Sequence, residues 1–177
     1  MAVSYANVDG SKMELTPMQV FFDGADLGGT LSNVVIETKY EKAEIKADQL
    51  GTTVIDRRVK GLNITVTTEL TQVQDKDVWK IVFPHAEQVV TGTGAIKFNS
   101  AVGDSDLANA KELVLHPLSK GTGDTEGNHT FWKACASAES TITYGPDKQA
   151  TLKIVWNILP DTSVTPARFY QYGDPLL

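Results

Sequence analysis

The stretch "LNITVTTEL", Leu62 to Leu70, constrains the fold of this 177-residue chain more than any other. Leu62, Ile64, Val66 and Leu70 fall on one side of an extended backbone, with Asn63, Thr65, Thr67 and Glu69 on the other. That is the two-residue period of a half-buried strand, and its β-branched residues suit a pleated surface. A strand with one apolar face must bury that face against another layer, so the chain needs a sheet and something to cover it.

The segment before it repeats the pattern. In "LSNVVIETKYE", Val34, Ile36 and Tyr40 share one face, and Val35, Glu37, Lys39 and Glu41 the other. Ala43, Ile45 and Ala47 then carry the apolar character on odd positions. The parity therefore slips by one around Glu41 and Lys42, which predicts a bulge or tight bend there. "MQVFF", Met18 to Phe22, reads as a first strand ended by a turn cluster at Asp23 to Thr30. "DQLGTT", Asp48 to Thr53, reads as a loop centred on Gly51, from which "VIDRRV" returns.

After Leu70 the period changes. Thr71 and Gln74 have the spacing of a capping box, and Val78, Ile81 and Val82 fall at i, i+3 and i+4. A helix over about residues 74–83 is predicted, stopped by Pro84. Further strands are predicted from Ala95, Lys111, His129 and Ala150, with Trp132 and Trp156 in the core. The fold class expected is mainly β: a β-sandwich or rolled β-barrel of two packed antiparallel sheets flanked by one α-helix. One domain over 1–177 is expected, with a flexible N-terminal segment at 1–15 and a C-terminal tail at 165–177. Phe169, Tyr170 and Tyr172 of that tail are expected to dock on their own subunit or a neighbour.

Charge and composition exclude several function classes. A net charge of −6 lacks the cation surplus that grips nucleic acid by its phosphates. Cys135 is the one cysteine, so no internal disulfide forms, and a reducing cytosolic site of folding with an inert thiol is expected. No run approaches the roughly 18 apolar residues of a membrane span, and no signal-type segment opens the chain, so no membrane insertion is expected.

Chemistry is hard to find. His85, His116 and His129 stand at no metal-ligand spacing. "GDSDLANAKELVL" starts like a calcium loop at Asp104 and Asp106, but Asn109 and Leu115 occupy the positions that need glycine and glutamate. It reads as a solvated acidic turn. "GTGDTEGN", Gly121 to Asn128, matches neither a dinucleotide motif nor a P-loop and reads as a hairpin loop. The sequence offers no catalytic residue, metal site or cofactor motif, and the expectation is a protein that is not an enzyme.

The segment "LGGTLSNVVIETKYEKAEIKADQLGTTVIDRRVKGLNITVTTEL", followed directly by the helix "QDKDVWKIVF", resembles the major tail (tail tube) proteins of long-tailed bacteriophages. "IKADQLGTTVIDRRVKG" and "ITVTTEL" are its most specific parts. The resemblance implies the tail-tube fold, similar to the inner-tube protein of type VI secretion. It also implies six copies in a ring, and rings stacked into a tube in the virion tail, assembled in the host bacterial cytoplasm. The implied partners are further copies of the chain, a tape-measure protein and DNA inside the lumen without sequence-specific binding, and tail-tip (initiator) and terminator proteins.

On that resemblance, Glu37, Lys39, Glu41, Asn63, Thr65, Thr67 and Glu69 are expected to face the lumen as a polar, mostly acidic wall, with Lys39 partly neutralised by a neighbouring glutamate. Val34, Ile36, Tyr40, Leu62, Ile64 and Val66 would bury against the subunit's own second sheet and helix. The loop "DQLGTTVIDRR" would project, with Gln49, Leu50, Thr52, Thr53, Asp56, Arg57 and Arg58 touching the next ring or the adjacent subunit. Without the resemblance, the spacing of the polar residues alone fits a solvated sheet face. Two other readings stay open: another tail or secretion ring component such as a terminator, and a monomeric β-sandwich binding module, which would want exposed aromatics on one face.

Overall fold

A computed structural model describes residues 16–31, 33–46, 52–88, 94–99 and 102–174. Among the described residues the chain is mainly β, in two antiparallel sheets with two short helices, an arrangement consistent with a β-sandwich. Its strands are β1 (Met18–Phe22), β2 (Ala25–Gly29), β3 (Val35–Lys46), β4 (Val54–Leu70), β5 (Ala86–Gln88), β6 (Ile96–Phe98), β7 (Lys111–Pro117), β8 (His129–Thr143), β9 (Thr151–Ile158) and β10 (Tyr170–Tyr172). The helices are α1 (Lys76–Val82) and α2 (Asp106–Asn109). The larger sheet runs β2-β1-β7-β8-β9-β4-β3, with β10 added beside β8, and β5 and β6 form the smaller one.

The large sheet curls until its first strand meets its last but one. Thr30, just after β2, forms a bridge to Leu70 at the end of β4, and the Leu31 amide donates to the Glu69 carbonyl at 3.1 Å. Curling lets the apolar stripes of six strands converge: Val20 and Phe22 of β1, Leu27 of β2, Leu113 and Leu115 of β7, Phe131 of β8, Trp156 of β9 and Ile64 and Val66 of β4. The Phe22 and Trp156 rings meet at 4.8 Å between centroids. Removing one indole from water stabilises such a fold by about 4–6 kcal/mol at the usual area coefficient. Its N–H donates to the buried Thr68 hydroxyl at 2.9 Å, so the one polar atom of the ring is satisfied in the core.

The helix of the expected region is present but capped differently. Asp75 is the N-cap, accepting from the Asp77 amide, in place of the Thr71 and Gln74 box. An aspartate starting one turn later also puts negative charge at the positive helix end. Val78 and Val82 enter the core, whereas Ile81 is 37 % exposed. The turn cluster at Asp23 to Thr30 is a turn followed by a strand. Asp23 and Gly24 both have positive φ, 51° and 76°, the geometry of a two-residue hairpin turn, and β2 returns at once along β1. α2 is a third departure, a four-residue helix within the expected acidic turn.

Replacing Thr68 with valine keeps the volume but strands the Trp156 N–H. The urea midpoint should fall by the equivalent of about 1–3 kcal/mol with an unchanged slope. Trp156→Ala should lose about 3–5 kcal/mol through the cavity it leaves. An unchanged midpoint for the Thr68 variant would contradict the role assigned to that hydrogen bond.

Candidate functional site

Cross-strand partners share a face, so the register of β3, β4 and β9 fixes what stands opposite the core. Glu37 pairs with Thr65, Lys39 with Asn63 and Glu41 with Gly61. On the other side of β4, Thr65 pairs with Asn157, Thr67 with Val155 and Glu69 with Lys153. Glu37, Lys39, Glu41, Asn63, Thr65, Thr67 and Glu69 therefore do lie on one face, opposite the buried Ile64 and Val66. Lys39 reaches Glu37 at 3.2 Å, and the Asn63 amide donates to Glu41 at 3.0 Å. Lys153 and Asn157 extend the face. Sequence reading missed them because nothing local says that β9 lies beside β4, although the alternation of Lys153, Val155 and Asn157 against Leu152, Ile154 and Trp156 was there to be read.

Past Glu41 the β3–β4 hairpin leaves the core. Ile36 and Leu62 still pack against it, but no described residue from Tyr40 to Lys46 or from Thr52 to Lys60 is buried. Tyr40 was expected to be covered by its own subunit and is 59 % exposed. The register slips between Glu41 and Lys42, where expected. Glu41 faces Gly61 but Lys42 faces Val59, so the extra residue is Lys60 of β4; a second slip makes Ile55 extra as well. Both bulges are in β4, and β3 keeps its own alternation. Ala43 and Ile45 thus continue the side of Glu41 and do not cross to the apolar side.

The projecting contact loop also needs correction. Asp56, Arg57 and Arg58 belong to β4, paired with Ile45, Glu44 and Ala43. They are held there because Val54 and Ile55 open a strand, not a loop. Thr52 and Thr53 stand just before it, and Gln49 and Leu50 lie outside the described residues, as does the segment 1–15. Glu44 joins Lys46 at 3.1 Å and Arg57 at 3.3 Å, and these two cations, Lys46 first, hold its carboxyl below the usual range. Arg58 stands 3.7 Å from Asp56. Among the described residues β3 is the outermost strand of the sheet, paired on one side only.

Elsewhere the polar groups are engaged in structure. Asp161 and Arg168 exchange two backbone hydrogen bonds and close a loop between β9 and β10. The Asp161 carboxylate accepts from the Ser163 amide and hydroxyl and, at 2.9 Å, from Arg168 Nε, contacts that pull its pKa down to about 2. Arg168 covers the half-buried Trp132 ring, 4.3 Å from its centroid, so Trp132 lies under a guanidinium and not in the core. β10 then docks the tail on its own subunit: Tyr170 stacks on Phe131 at 4.8 Å and shares a 2.7 Å hydrogen bond with His129. Cys135 is buried, and desolvation together with nearby Asp106 raises its pKa. Among the described residues no cluster of three or more His, Cys, Asp or Glu could hold a metal ion, and no helix is long and apolar enough to cross a membrane.

One open groove of about 530 Å³ has aromatic walls, from Trp79, Phe98 and Tyr144. Phe98 packs edge-on against Trp79 and Phe83 and is 54 % exposed. No protein-family model matches the chain, and no curated protein matches it in sequence.

The Asp161 clasp has a pH signature. Its folded pKa, about 2, is below the ordinary carboxylate value of about 3.9, so its stabilisation is complete above about pH 4 and lost as pH falls through about 2. Asp161→Asn should be less stable than the parent at neutral pH, with the gap closing between about pH 4 and pH 2, measured as urea midpoints. A gap that stays constant down to pH 2 would contradict the clasp.

Proposed function

We propose that this chain is the subunit of a hollow tube, a major tail (tail tube) protein with the tail-tube fold, whose stacked hexameric rings conduct DNA during ejection from a virion. The observation that carries the reading is one mostly polar face over β3, β4 and β9, broken by Val35 and Val155 on either side of Thr67, set back to back with the core and running into an arm that none of the described residues covers. An isolated domain has little use for a 12-residue strand whose outer edge no described residue pairs, because such an edge is a template for pairing with other chains. In a ring, neighbouring copies complete that edge and close the sheet into a barrel around a channel.

The polar face would then be the channel wall. Glu37, Glu41 and Glu69 against Lys39 and Lys153 leave a slight acidic excess, and the threonines and asparagines between them are short and uncharged. Such a wall does not grip phosphates, so DNA or a tape-measure protein passes without sticking. Other copies, a tail-tip initiator and a terminator are the partners of this reading, and the virion tail is its location. A terminator-like ring component is the near alternative, differing in whether rings stack without limit. The aromatic groove beside α1 favours a second reading, a monomeric β-sandwich binding module.

Negative-stain electron microscopy of the concentrated protein, with and without a tail-tip complex, separates these readings. Stacked hollow rings are expected. Single rings that never stack would favour the terminator alternative, and a monomer under both conditions would favour the binding module.

A further inference from the structure

The arm's charge is opposite to that of the rest of the chain. Between residues 42 and 60, Lys42, Lys46, Arg57, Arg58 and Lys60 outnumber Glu44, Asp48 and Asp56, a net of +2. With −6 overall, everything outside that stretch carries −8. Three of the cations are partly answered within the arm, by Glu44 and Asp56. Lys42 and Lys60 are exposed and have no partner among the described residues; Lys60 is the extra residue of the first bulge, and Lys42 faces Val59 beside it, which is 61 % exposed. The body has the complementary deficit: Glu112 and Asp147 are exposed with no cation partner among the described residues.

We infer that the β3–β4 arm is a basic docking element for the acidic body of a second copy of this chain, so that self-association is steered by charge and controlled by ionic strength. The inference rests on the tube reading and names the force that joins its subunits. An arm that binds a body, and not another arm, makes a head-to-tail contact, the kind that closes rings or propagates. Complementary potentials of this kind set partner choice and encounter rate. Duplex DNA is the other polyanion such an arm could meet. The body argues against it: a surface of −8 repels phosphate at the range over which the arm's smaller charge attracts it.

The test is sedimentation velocity on the intact chain and on Lys42→Glu/Lys60→Glu, with circular dichroism to verify folding. Raising salt from about 0.01 M to about 1 M shortens the screening length from about 30 Å to about 3 Å. Wild-type association should weaken roughly tenfold or more over that range, and the double variant should be weaker by a similar factor at low salt while losing most of the salt dependence. Lys42→Arg/Lys60→Arg should associate like wild type. Association indifferent to salt and to charge reversal overturns the arm's role and leaves the tube reading standing. Salt-sensitive association that yields no hollow particles upholds the arm and overturns the tube. A monomer at every salt concentration, with and without a tail-tip complex, overturns both, and retention of duplex DNA by the wild type but not by the reversal variant transfers the arm to a phosphate partner.

Discussion

Strand β4 is 17 residues long, but only its second half has a core to rest on, and the rest of the structure follows from that mismatch. From Ile64 onward, alternate residues are buried against Trp156 and its neighbours, which fixes the strand's register. Before Leu62 the same strand runs on with β3 into solvent. Slipping the pairing by one residue would turn Ile64 and Val66 outward, so the packed half holds the whole hairpin in one alignment. The polar face of the free half is therefore positioned by a core it does not touch.

The two bulges mark the change of environment. Each inserts one residue into β4 and none into β3, at Lys60 and Ile55, and bulges of this kind increase local twist and bend the strand that carries them. Exposed Tyr40, Ile55 and Val59 lie along the arm, an amount of apolar surface that signals a contact surface better than a solvated loop does. In the proposed tube, the neighbouring copy covers that surface, and the outer edge of β3 finds its hydrogen-bond partners in the same place.

Much of this was legible in the sequence because periodicity is a local signal. Met18 to Phe22, the alternation of Leu62 to Leu70 and the docked tail at Tyr170 could all be read from short windows, as could the place of the slip at Glu41, though it falls in β4 and not in the strand that carried the pattern. What failed was non-local or hidden by turn residues. β2 was concealed by Asp26, Gly28 and Gly29, which look like a turn but follow an Asp-Gly hairpin. The strand character of Asp56 to Arg58 was concealed by charge, since a strand with no core to face keeps no apolar alternation. Lys153 and Asn157 join the candidate site only through the β4–β9 pairing, and Trp132 left the core only because Arg168, distant in sequence, lies over it.

The central claim is that the face bearing Thr65 becomes the inside of a tube. Its most direct measurement is the labelling of Thr65→Cys, in a Cys135→Ala background, by a bulky polymer-linked maleimide before and after assembly. Rapid labelling of the dilute subunit and strong protection in long assembled particles, with a small maleimide still able to enter, is the predicted result. Equal labelling by the bulky reagent in both states would place Thr65 on the outside and contradict the account.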